Sequence, residues 1–192
     1  MTIAELIGLV KSAGSGLAKP MPVEAMPDMV FVCSFEQTGV TNLAVSEIVS
    51  KCPDDLAEFW GITRSARLFE DMTFGQWGLA ILDPHAAVAA TEKFRTRRSR
   101  DFMVGDLVLG RLIGDSDRLI IRCDPVSADF GHILVATPLD SRAHWHGAAV
   151  SFTAFLEKYI KTGGEKYWAR PCPHRSDVQS RQPTAGAGDE WS

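Results

Sequence analysis

His144-Trp145-His146 places two imidazoles two residues apart, on one side of the chain if the segment is extended. That spacing could hold a metal ion, with His132, or Cys172 and His174 near the C-terminus, completing the set. No acidic general base is tied to the pair, so a metal-dependent hydrolase built on His144 and His146 stays an alternative reading. The basic run Lys93, Arg95, Arg97, Arg98 and Arg100 could grip phosphates. Glu92 and Asp101 flank it, no aromatic residue alternates with the arginines, and a solvated helix end explains it better. Acidic groups are the more promising set. Asp54, Asp55 and Glu58 open a predicted helix, Glu70 and Asp71 follow a short strand, and Asp115 and Asp117 crown a hairpin. If they line one rim, they form an electronegative surface for a basic partner.

Gly114-Asp115-Ser116 raises a different chemistry, that of a serine nucleophile, with Asp129-Phe130-Gly131-His132 as an Asp-x-x-His. In hydrolases of that kind the two blocks stand near opposite ends of the chain. Here they are a few residues apart, and no helix is predicted after Ser116. A turn whose Asp and Ser side chains satisfy local backbone donors accounts for the block. Asp115 and Asp117 also suggest a calcium loop, but the glycine and distal glutamate of an EF-hand are missing. No catalytic residue, metal or cofactor is therefore expected.

The elements that position these groups centre on residues 106–124. Two apolar, β-favouring runs flank Gly114-Asp115-Ser116-Asp117, predicting a hairpin in which Ile113 faces Arg118. That register puts Val108, Gly110, Leu112, Leu119, Ile121 and Cys123 on the core face. Leu107, Leu109, Arg111, Ile113, Arg118, Ile120, Arg122 and Asp124 fall on a partly covered one.

Around the hairpin, Thr2 and Glu5 predict a capped first helix with Ile3, Leu6, Ile7 and Val10 on its apolar face. Residues 18–28, with three prolines, read as an extended connection. Met29–Phe35 and Ala66–Phe69 read as strands, Gln76–Leu82 as a better one, and His132–Thr137 as another. Thr41 caps a helix with Leu43, Ile48 and Val49; Pro53 breaks it, and a second follows with Leu56, Phe59 and Trp60 inward. Asp83 and Pro84 open a further helix, and Ser151 the last, with Phe152, Phe155, Leu156, Tyr159 and Ile160 as its stripe. Short connections between central strands give α+β: an antiparallel meander with N-terminal helices and a closing C-terminal helix.

At 192 residues and 45% hydrophobic, the chain can bury one core. Its net charge of −4 argues against a dedicated nucleic-acid binder. Four cysteines without a CxxC pair fit a reducing compartment. With no basic, apolar leader at the start, a cytoplasmic location is expected.

Cys52-Pro53-Asp54-Asp55-Leu56-Ala57-Glu58-Phe59-Trp60 is followed by Ser65–Asp71, Gln76-Trp77-Gly78-Leu79, Gly105-Asp106 and Gly114–Asp117. A strand and a helix with Phe155-Leu156 then close the series. This order resembles the SUKH superfamily, which groups bacterial toxin-immunity proteins with fungal regulators of cell-wall assembly. Pro53 to Phe59 match its helix entry; its usual Asn-Gly before the first strand is here Ser65-Ala66. The resemblance covers about Thr41–Ile160. It implies a SUKH-like domain over 41–162; outside it, the helix and extended segment occupy 1–40, and polar composition rich in Pro, Gly and Ser predicts a flexible tail over 163–192. It further implies a non-enzymatic, protein-binding role: an immunity protein neutralising a nuclease-type toxin, or a regulatory adaptor of the cell-wall-assembly type. The acidic residues above would be its partner surface, without direct nucleic-acid or membrane contact.

Overall fold

The structure, a computed structural model, describes residues 1–13, 29–36, 38–41, 45, 49 and 51–169. Expectations for 14–28, Leu43, Ile48 and residues from 170 on, including Cys172 and His174, lie outside them. The fold is α+β. Helix α1 (Ile3–Ala13) leads to β1 (Phe31–Phe35), α2 (Asp54–Ile62), β2 (Ala66–Asp71) and β3 (Leu79–Ile81). Helix α3 (Pro84–Arg97) precedes β4 (Asp106–Leu112), β5 (Arg118–Arg122), β6 (Ile133–Ala136) and β7 (His146–Ala149), and α4 (Phe152–Lys161) follows. The strands form one antiparallel sheet in chain order. No described helix is long and apolar enough to cross a membrane.

The helices start where local chemistry tells them to. Thr2 N–H donates to Glu5 Oε2 at 2.8 Å, and Glu5 N–H to Thr2 Oγ1 at 3.2 Å, a reciprocal capping box. Asp83 Oδ1 accepts from His85 N–H and Ala86 N–H, with Pro84 in the first turn where its missing donor costs nothing. Ser151 Oγ accepts from Ala154 N–H.

Helices α1, α2 and α4 cover one face of the sheet. Ile3, Leu6, Leu56, Phe59, Trp60, Phe152 and Phe155 meet Leu68, Leu79, Leu119, Ile121 and Ile133 there, and Phe59 stands edge-on to Phe152. Because α1 and β1 contribute to this core, residues 1–13, 29–36 and 38–40 belong to the same body as the rest. The expected boundary at residue 40 is not a structural one.

The hairpin differs from expectation in register and in faces. Arg111, not Ile113, stands opposite Arg118, because the Ile113 N–H is taken by Gly78 O on the β3 side, and the loop closes with Leu112 N–H on Asp117 O. A further irregularity between Val108 and Gly110 turns over the first half of β4. Leu107 and Leu109 thereby join the main core, while Val108 joins Ile120 on the other face. That second face is covered, not partly open: Val108, Ile120, Ala136 and Trp145 are buried there against Phe94 of α3 and Phe102.

The tail expected from Gly163 is packed as far as Ala169. Tyr167 donates its hydroxyl to Ala148 O, Trp168 lies tilted 5.8 Å from Phe155, and Trp77 Nε1–H donates to Gly164 O. Two aromatic rings supply the burial that the polar composition hides.

Candidate functional site

At one end of the sheet β4 begins, β5 ends, β6 begins and β7 ends, so three connections meet: residues 98–105, 123–132 and 150–151. Charge ties the first two together. The Asp106 carboxylate, fully buried, accepts from Arg122 Nη1 at 2.7 Å, Arg142 Nη1 at 2.6 Å and Met103 N–H at 2.7 Å. Arg122 also donates Nε–H to Asp129 and Nη1–H to Val104 O, each at 2.9 Å. Hydrogen bonds to both its carboxylate partners hold Arg122 above its ordinary pKa in spite of burial. The Ser127 hydroxyl, then Arg122, hold Asp129 below the usual carboxylate value. Desolvation largely offsets the attraction within such buried pairs, so their contribution is to fix the 98–105 and 123–132 loops against each other and against Arg142 rather than to add much stability. Gly105 is part of that fit: its φ is +81°, and a Cβ there would stand 2.6 Å from the Asp124 backbone nitrogen.

This end of the sheet carries apolar side chains outward. Val104, Val126 and Val150 are 82%, 89% and 69% exposed, with Met103 and Phe130 beside them. Below Val104 opens a cleft of about 380 Å³ whose lining includes Lys51, Arg95, Gly105, Cys123 and Asp124. Burial pushes the Cys123 thiol up to about 12 and raises Cys52 as well, so both remain protonated and are poor nucleophiles.

The seven acidic residues do not converge on one rim. Asp54, Asp55 and Glu58 belong to this loop end: Asp55 accepts from Thr153 N–H and hydroxyl, three residues past Val150, and Asp54 and Glu58 are exposed one helical turn apart. Glu70, Asp71, Asp115 and Asp117 lie at the opposite end, separated from them by α4, whose ten residues span about 15 Å. Most of this second group is committed. Asp71 is buried and accepts from the backbone N–H groups of Thr73, Phe74 and Gln76. Glu70 pairs with Arg67, and Asp115 with Lys166. Burial raises the carboxyl of half-buried Asp117.

The catalytic alternatives are not assembled either. Ser116 precedes β5 while His132 sits at its far end, where its carbonyl accepts from Arg122 N–H. Five strand residues, about 17 Å, separate them. Asp129 is turned to Arg122 and Ser127. His144 stands in a short 3-10 turn, not an extended segment, with Nδ1 3.1 Å from Ser141 Oγ, and His146 begins β7. Among the described residues no group of three or more His, Cys, Asp or Glu side chains could hold a metal ion.

Sequence reasoning missed Val104, Val126, Val150 and Asp124. The available signal was apolar residues inside predicted connections, Met103-Val104-Gly105 and Pro125-Val126-Ser127. No family model matches the chain, and no curated protein matches it.

Proposed function

We propose that this protein is a non-enzymatic binding domain of the SUKH type that neutralises a nuclease-type toxin in the cytoplasm by occluding it. The observation that carries this reading is the loop end: exposed Val104 and Val126 on two connections held together by the Asp106–Arg122–Asp129 network, with exposed Val150 on a third connection at the same end of the sheet. Preorganised apolar residues with a polar rim are what a protein interface needs, because little ordering entropy is left to lose on binding. Asp54, Glu58 and Asp124 supply a rim that suits the basic surface a nuclease presents to its substrate. The resemblance in motif order is the second support, and it carries the choice of a toxin as partner.

The test is surface-captured binding of the purified chain to the product of the adjacent gene. Val104→Asp should weaken affinity at least tenfold, mostly through faster dissociation. Asp54→Asn with Asp124→Asn should slow association at low salt and have little effect near 1 M. Unchanged affinity in Val104→Asp would remove the loop end from the interface.

A further inference from the structure

On the sheet face crossed by α3, strand register builds a feature that no stretch of sequence displays. Residues directly paired across antiparallel strands point to the same side. Arg67 pairs with Ala80, Ala80 with Arg111, and Arg111 with Arg118. The four form one row across β2–β5, roughly 15 Å from end to end at about 4.8 Å per strand. Small Ala80 leaves a dip between Arg67, which is already paired with Glu70, and the two adjacent arginines. Helix α3 walls the row. Its Phe94 ring lies 4.9 Å from the Arg118 guanidinium; exposed Arg97 stands three residues on from Phe94, and exposed Lys93 one turn before Arg97.

Arg111 and Arg118 stand directly opposite one another, an arrangement that costs stability for like charges. Among the described residues neither has a carboxylate within ion-pairing distance. Arg118 Nη1 donates instead to the carbonyls of Ser116 and Asp117, both at 3.0 Å. Burial and then Arg111 draw the Arg118 guanidinium below its ordinary value, with Asp117 opposing them. An anion lying between the two forks would relieve that repulsion.

We propose that this row, with Lys93 and Arg97, is a second docking face, distinct from the loop end, that takes an acidic protein segment laid across β2–β5. Paired guanidinium forks match carboxylates in bidentate geometry. Nucleic acid fits less well. Phe94 is covered by Arg118, so no open ring stands among the arginines to stack a base. The chain's net charge of −4 repels a long polyanion, whereas a short acidic segment meets only the local field.

Fluorescence anisotropy on the full chain tests this with a labelled glutamate-rich peptide and a single-stranded oligonucleotide of the same length. The peptide should bind, weaken with salt, and lose about tenfold in affinity in Arg111→Gln, with partial recovery in Arg111→Lys, which keeps the charge but not the fork. Because Arg111→Gln removes the repulsion, its melting temperature should be unchanged or higher. Lys161→Gln, on α4, should leave binding as in the parent. Absent peptide binding, equal binding to Arg111→Gln, or tighter binding of the oligonucleotide would each overturn the proposal. So would a fall in melting temperature in Arg111→Gln, which would make the residue structural.

Discussion

Each end of the sheet is organised around a buried aspartate, and the two do it differently. Asp71, at the tip end, spends its carboxylate on three backbone N–H groups within five residues of itself, holding a single turn that exposes Met72 and Phe74. Asp106, at the loop end, is held by Arg122 and Arg142, sixteen and thirty-six residues away. The first is a local device that shapes one turn. The second is a tertiary one that locks several connections against each other, and it is where exposed apolar residues from three loops collect. A partner surface of useful area is built more readily by the second arrangement than by the first.

The largest expected effect is at Asp106. Asp106→Ala leaves two guanidiniums without their shared counter-charge and should cost about 3–5 kcal/mol in urea unfolding. Truncation after Thr162 comes next. It removes Tyr167 and Trp168 from the core and the Gly164 acceptor from Trp77, for a loss of roughly 2–4 kcal/mol and a clear fall in melting temperature. Asp71→Ala, which strands only backbone donors near solvent, should cost about 1–3 kcal/mol. If Asp71→Ala proved the worse of the two aspartate variants, the contrast between local and tertiary devices would fail.

A smaller effect is acid sensitivity of the loop end. The folded carboxyl of Asp129 is held below its unfolded value, so its stabilisation is complete above the unfolded pKa near 4 and is lost as pH falls through the folded one. Stability of Asp129→Asn should therefore change less than that of the parent between about pH 5 and pH 2. A parallel loss in both proteins would show that Asp129 is not the group responsible.

The two ends were also unequally legible in the sequence. Thr2, Asp83 and Ser151 are read correctly as caps because capping is decided within four residues, and the meander follows from strand-length runs with short connections. The register of β4 and β5 is not so local. It depends on Gly78 capturing the Ile113 N–H and on a bulge beside Gly110, where only a residue without a Cβ lets the backbone come so close to Ala80 O. Asp106, Arg122 and Arg142 look like ordinary surface charges until the fold stacks them. Tyr167 and Trp168 are lost in a polar stretch because composition averages over the two residues that matter. The acidic rim fails for the same reason: seven carboxylates were counted together without the topology that divides them.

The central claim, that the loop end and not the tip end meets the partner, is tested most directly by one comparison. Affinity for the product of the adjacent gene is measured for Val104→Asp and for Phe74→Asp, both substitutions at exposed positions expected to leave stability within about 0.5 kcal/mol. The account predicts at least a tenfold loss for Val104→Asp and no significant change for Phe74→Asp. The reverse result, with Phe74→Asp losing affinity and Val104→Asp binding like the parent, would contradict it.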